Sequence, residues 1–163
     1  RQMCIRDRFF YLYDMYAAKK NMDFHFTYDE GMIRCDASLI KSVLINLLDN
    51  ACKASEPGSR IDVDGYAVSE GYRFSVKDHG VGIPEEEVYK ITKAFYMVDK
   101  SRSRSRNGAG LGLALCEEIL LLHHSRLEIE SEPGKGSCFS FVLPWEDGAP
   151  AAWRSDGEGG GEV

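Results

Sequence analysis

Leu44-Ile45-Asn46-Leu47-Leu48-Asp49-Asn50-Ala51-Cys52-Lys53 decides how the rest of this 163-residue chain is read. The stretch sits in a segment that opens at Asp36, a side chain suited to capping a helix, and closes at Pro57-Gly58. The spacing predicts one long helix running to about Ser55. At about 100° per residue, Asn46, Asn50 and Lys53 fall within roughly 60° of one another, while Leu44, Leu47, Leu48 and Ala51 occupy a different arc. Two neutral carboxamides and an ammonium on one stripe suit a phosphate chain and its cation, through oxygen and N–H contacts. Taken alone, the stripe reads equally as a solvated helix face.

Downstream, residues 60–68 and 71–78 read as strands joined around Glu70-Gly71, and the second runs into Asp78-His79-Gly80-Val81-Gly82-Ile83-Pro84. Glycines two apart permit a tight turn and a close approach of backbone to a ligand. An Asp at a strand end offers an acceptor to an amine such as that of a nucleobase, although an ordinary strand-to-helix turn has the same pattern. Pro84, followed by Glu85, Glu86 and Glu87, opens a short helix. Residues 97–109 are polar, basic and glycine-containing and read as a mobile loop. Asn107-Gly108-Ala109-Gly110-Leu111-Gly112 then opens an apolar helix, Leu111–His123. Amides at a helix N-terminus exposed by glycines make an anion site, and a flexible hinge is the other reading. The run is not a Walker A loop, because Leu113 follows Gly112, and it is not a dinucleotide fingerprint, because a basic loop precedes it where a strand is needed. Residues 126–131 and 136–143 alternate around Pro133-Gly134-Lys135-Gly136 and predict a hairpin.

Upstream, Phe9, Leu12, Tyr13, Tyr16 and Ala17 recur at helical spacing, and residues 23–28 alternate as a strand. Residues 1–8 fit no motif and are set aside as candidate non-native sequence; from Glu146 onward the Gly, Ala and acidic residues predict a disordered tail (146–163). The order strand, helix, two strands, helix, loop, helix, two strands predicts an α+β fold: a two-layer sandwich with a mixed, mostly antiparallel sheet and helices packed on one face.

Composition narrows the function. The chain is 44% hydrophobic with a net charge of −6, which sets it against general nucleic-acid binding. Cys4, Cys35, Cys52, Cys116 and Cys138 are scattered without metal-ligand spacing and read as buried reduced thiols of a cytoplasmic protein. No apolar stretch approaches the ~18–20 residues of a membrane span, so no direct membrane contact is expected of this domain.

In order and spacing these motifs resemble the C-terminal ATP-binding catalytic domain of sensor histidine kinases, in the superfamily shared with gyrase and the heat-shock chaperone ATPases. Asn46–Lys53 matches the Asn-containing box, Asp78–Gly82 the first glycine box, and Gly108–Gly112 the second. Phe95-Tyr96-Met97-Val98-Asp99-Lys100-Ser101-Arg102 looks like the aromatic box and lid, and Gly134–Ser137 with Phe139–Pro144 like the closing hairpin. The match covers residues 21–145; residues 1–20 are then the end of an upstream dimerisation helix and a linker. The resemblance implies that Asn50 ligates Mg²⁺ and that Asn46 and Lys53 approach the phosphates of ATP. It implies that Asp78 accepts the adenine amine, that Gly80 and Gly82 let the base in, and that Tyr96 belongs to the nucleotide site. Gly108, Gly110, Leu111 and Gly112 would cradle phosphates beneath the lid, with Lys100 and Arg102 at the γ-phosphate; the basic run 100–106 is thereby a lid and not a nucleic-acid patch. Thr92, Met97, Ala54 and His124-Ser125 depart from the family's usual residues.

In the hydrolysing branches of the superfamily a Glu stands four residues before the Mg²⁺-binding Asn. Here that position is Asn46, which cannot act as a general base. Phosphoryl transfer needs mainly positioning and charge neutralisation, so the resemblance implies transfer to a histidine, with Asn46, Lys100 and Arg102 as the catalytic group. None of His25, His79, His123 and His124 fits the acceptor pattern, so the acceptor is expected on upstream dimerisation helices of the same, homodimeric protein, with a response regulator as the onward partner. A serine kinase of the anti-sigma-factor type and a non-catalytic nucleotide-binding module are the alternatives.

Overall fold

The computed structural model describes residues 1–18, 21–93 and 112–146, together with the backbone of residues 160–162. In chain order the elements are β1 (Gln2–Cys4), α1 (Ile5–Tyr16), β2 (Asp23–Asp29), β3 (Met32–Arg34), α2 (Ala37–Ala54), β4 (Arg60–Ala67), β5 (Gly71–Asp78), α3 (Glu85–Val88), α4 (Gly112–Leu122), β6 (Glu128–Glu132), β7 (Gly136–Pro144) and β8 (Gly160–Glu162).

Six strands form the main sheet in the order β6-β7-β5-β4-β2-β8, and β1 pairs with β3 apart from it. Among the described strands only β2 and β4 run parallel, and α2 lies on the connection between them, as a parallel pair requires. One face of the sheet carries the core. Phe26 pairs with Val63, Val63 with Val76, and Val76 with Phe139, all buried. The helices cover that face, which bears out the expected α+β sandwich. On the other face Asp62, Asp64, Ser75 and Lys77 alternate with the core residues, and the Arg60–Asp62 and Arg73–Glu128 ion pairs are made there.

α2 forms for the reasons its sequence suggests. The Asp36 carboxylate accepts the Leu39 N–H at 3.1 Å, and Ile40, Val43, Leu44, Leu47, Leu48 and Ala51 make a continuous buried stripe. α1 begins four residues before the first periodic residue of the expected helix. Ile5, Phe9, Leu12 and Tyr16 are all buried, so this helix is part of the domain's own core. Tyr16 Oη donates to Asp49 Oδ1 at 2.7 Å and ties α1 to α2. β3 was not foreseen, and Gly160–Glu162, within the stretch read as a tail, lies antiparallel along β2. No described helix is long and apolar enough to cross a membrane.

α4 packs on α2, and the two helices are joined at the end far from Gly112. The Asp36 N–H donates to His123 Nε2 at 3.0 Å, and the other ring nitrogen lies 2.9 Å from the Ile119 carbonyl. His123 therefore accepts through Nε2 and donates through Nδ1, as a neutral imidazole does. α4 ends in a Schellman motif, Ser125 N to Leu120 O at 2.8 Å and His124 N to Leu121 O at 3.1 Å. The motif needs a left-handed residue, and His124 takes it with φ 57° where glycine is the usual occupant.

Candidate nucleotide site

The polar stripe of α2 faces the start of α4. Asn46 donates from Nδ2 to the Ser42 carbonyl at 2.9 Å, which spends a donor inside its own helix and fixes where the carboxamide oxygen points. That oxygen is aimed at Gly112: a Cβ added there would lie 2.8 Å from Asn46 Oδ1. The helix of the Asn-containing motif and the last glycine of the second glycine run are thus in contact. Asn50 is half-buried one turn further on and its side chain makes no hydrogen bond to a described residue, and Lys53 is exposed beyond it.

Asp78 ends β5 on the core face, in the alternation Tyr72, Phe74, Val76, Asp78, and pairs across the sheet with Ile61. At 2% exposure it is the one charged side chain buried among the described residues. Two backbone amides bind the same oxygen: Gly80 N–H at 2.9 Å and Ser137 N–H at 3.2 Å both donate to Oδ1. Among the described residues none is hydrogen-bonded to Oδ2. Burial pushes the Asp78 carboxyl above its ordinary pKa, against the downward pull of the two amides.

The loop that follows is wedged between two backbones. Val81 N–H donates to the Ala54 carbonyl at 3.2 Å, at the C-terminus of α2, and Gly134 N–H donates to the Val81 carbonyl at 2.8 Å, from the β6–β7 hairpin. Side chains at the two glycines would strike the same partners: a Cβ on Gly80 runs into the Ala54 carbonyl, and one on Gly82, whose φ is +71°, runs into the Glu132 carbonyl. The requirement for glycine at both positions comes from protein packing. Ala54, a departure from the usual aromatic, serves here through its carbonyl, which any residue supplies.

Two serines escaped the sequence reading. Ser137 supplies an amide to Asp78, and Ser131 Oγ accepts the Ile83 N–H at 2.7 Å. Nothing in the residue types announces either role, because both depend on how the hairpin register meets the loop. Of the residues expected at the site, Asn46, Asn50, Lys53, Asp78, Gly80, Gly82 and Gly112 are described, whereas Tyr96, Lys100, Arg102, Gly108, Gly110 and Leu111 lie outside the described residues.

Residues 35–147 match the family model described as histidine kinase-, DNA gyrase B-, and HSP90-like ATPase. The chain is 40% identical over 125 residues to the adaptive-response sensory kinase SasA of Thermosynechococcus vestitus, covering 74% of this chain and 32% of that protein. Among solved structures it resembles the mycobacterial sensor histidine kinase MprB (TM-score 0.76, 26% identity, 92% of this chain and 98% of that one). It also resembles the nucleotide-free catalytic domain of the histidine kinase ThkA (TM-score 0.74, 28% identity, 88% of this chain and 94% of that one). The chain spans a third or less of the length of curated relatives it matches, 32% of this one and 25% of the phosphate regulon sensor protein PhoR of Haemophilus influenzae. A buried carboxylate at the end of β5, a carboxamide stripe on α2 abutting Gly112, and a match over most of the domain lead to one assignment: the chain belongs to the family of histidine kinase-, DNA gyrase B- and HSP90-like ATPases.

Proposed function

We propose that this chain is the catalytic ATP-binding part of a sensor histidine kinase, which holds Mg²⁺-ATP and delivers its γ-phosphoryl group to a histidine on helices outside residues 21–145. The single observation that carries the reading is Asp78: a buried carboxylate with one oxygen fixed by two amides and the other left to accept an exocyclic amine. An acceptor at that place favours adenine, whose 6-position carries a donor, over guanine, whose 6-position is a carbonyl.

The α2 stripe fits the rest of the nucleotide. Among the described residues no cluster of His, Cys, Asp and Glu is able to hold a metal ion by itself. A carboxamide oxygen on Asn50 is a hard donor of the kind Mg²⁺ accepts, with phosphates and water completing the shell. The cation would supply charge neutralisation at the phosphates. Asn46, with its amide turned back to Ser42, is no base for activating water, so the site favours transfer to a positioned acceptor over hydrolysis. Lys100 and Arg102 are the basic side chains proposed to meet the γ-phosphate as charge develops. The full-length protein is read as a homodimer with a cytoplasmic kinase unit, whose phosphohistidine would pass its phosphoryl group to a response regulator.

Calorimetric titration with ATP and GTP, each with Mg²⁺, tests the reading. Tight ATP binding with GTP weaker by tenfold or more is expected, on the order of one lost charge-assisted hydrogen bond. Equal affinities would remove Asp78 from its role. Incubation with labelled ATP and separately supplied dimerisation helices then tests transfer: an acid-labile, base-stable label on those helices is expected, and an acid-stable one would move the chain to the serine-kinase reading.

A further inference from the structure

Four hydrogen bonds converge on the region around Ser131, on β6. Its hydroxyl oxygen accepts the Ile83 N–H at 2.7 Å, where the chain leaves the first glycine loop. The same hydroxyl lies 2.7 Å from Ser137 Oγ and 3.1 Å from the Gly136 carbonyl, both on β7. Ser137 in turn offers its N–H to Asp78 Oδ1. One half-buried hydroxyl therefore clamps the exit of the loop to the strand that holds the carboxylate. The entrance of the loop is held separately, by Gly80 N–H on Asp78 Oδ1 and by Val81 N–H on the Ala54 carbonyl. Ser131 is the side chain that joins the loop exit to β7, and among the described residues it makes no hydrogen bond to the α2 stripe.

We infer that Ser131 is a positioning residue for base recognition: it sets the direction of the Asp78 carboxylate by fixing the loop exit against β7, and so controls selectivity for the adenine amine without contacting the nucleotide. The inference rests on the role proposed for Asp78. Without the hydroxyl, the Ile83 N–H loses its acceptor and the loop exit is no longer registered to Ser137. Ser137 also loses the hydroxyl that holds it, so its N–H is no longer fixed against Asp78 Oδ1, and the carboxylate turns with that amide. Contacts between α2 and the phosphates are on a different element and stay in place.

The test uses the whole chain and two nucleotides, ATP and the purine riboside triphosphate that lacks the 6-amino group, each titrated with Mg²⁺ at a temperature where melting curves show every variant folded. In the wild-type protein ATP is expected to bind about tenfold or more tightly than the deaminated analogue, the scale of one hydrogen bond to a charged group. Ser131→Ala is expected to weaken ATP by about fivefold while moving the analogue less than twofold, so that the ratio collapses, with the Mg²⁺ dependence unchanged. Ser131→Thr, which keeps the hydroxyl, should restore the ratio, and Ser131→Cys, which keeps the volume with a weaker acceptor, should fall between and stands in if the alanine variant does not fold. Equal loss for both nucleotides, or an unchanged ratio in the alanine and cysteine variants, overturns the inference while leaving Asp78 in its role. A wild-type ratio near one removes the role of Asp78 itself, and the inference falls with it.

Discussion

The carboxamide oxygen of Asn46 lies 2.8 Å from where a Cβ on Gly112 would stand, so that the first residue of α4 and the middle of α2 meet closely enough that a side chain at position 112 would have to displace the carboxamide. The oxygen has little freedom to retreat, because the amide nitrogen of the same side chain is bonded to the Ser42 carbonyl. The contact puts two separately encoded motifs into one site.

Gly112→Ala should therefore separate stability from binding. The added methyl displaces the Asn46 carboxamide and strains its bond to Ser42, costing about 1 kcal/mol, which the better helix propensity of Ala offsets by a similar amount. Thermal melting is expected to move little while ATP affinity falls several-fold. Adding Asn46→Ala removes the clash, so the pair should be non-additive in a double-mutant cycle; strictly additive losses would show that the two residues do not communicate.

Asp78→Asn should weaken ATP binding by tenfold or more and leave the fold at least as stable at pH 7. Asn keeps an oxygen for the Gly80 and Ser137 amides but places a donor where Oδ2 stood. The sign follows from the raised pKa of the buried carboxyl. The folded state holds the Asp78 proton more tightly than the unfolded chain, so its ionisation costs stability as pH rises from the ordinary carboxylate value through the higher folded one. The variant lacks that cost. Denaturant melts of both proteins across the acid range should diverge in that window, with the variant gaining; a variant less stable than wild type at pH 7 would contradict the burial argument.

Asn50→Ala should fold normally, because the side chain lies on the polar stripe and bonds to no described residue. Stability is expected within about 0.5 kcal/mol of wild type. ATP titrations with and without Mg²⁺ should then give nearly the same affinity, whereas a retained Mg²⁺ effect would take Asn50 out of the metal site.

His124→Gly should stabilise the domain by about 1 kcal/mol, the cost an L side chain meets in the left-handed region. The Schellman bonds that need φ 57° at this position are backbone bonds and remain. An upward shift of a few degrees in Tm checks it, and no gain would mean the imidazole makes a compensating contact.

What was legible in the sequence was whatever repeats or caps. α2 could be drawn from Asp36, the spacing of Ile40 through Ala51, and Pro57-Gly58, since each is a local signal. Asp78 and the α2 stripe were readable because their residue types are unusual for a strand end and for a helix flank. β3 was missed because Met32-Ile33-Arg34 is too short to alternate. The start of α1 was missed because the apolar stripe reaches back to Ile5, inside a segment set aside as motif-free. Ser131, Ser137 and the His123–Asp36 bond were not legible at all, since each joins residues that only the tertiary fold brings together. The glycines of the first motif were read as letting backbone approach a ligand, whereas the groups that a Cβ on Gly80 or Gly82 would strike are the backbone of Ala54 and Glu132, which no local pattern reveals.

β4 and β5 close through a short turn, as do β6 and β7, whereas β2 and β4, being parallel, cannot meet until α2 has crossed between them. During refolding the two hairpins are the local and fast contacts, and the crossover is the slow one. Asn46 and Asn50 ride on that crossover, and Asp78 and Ser137, 59 residues apart, join only when β5 meets β7. Competence to hold a nucleotide is thus acquired late, after most strand structure exists. Stopped-flow refolding should show the far-ultraviolet signal recovering before ATP binding does, and nucleotide present during refolding should slow unfolding without hastening the first phase.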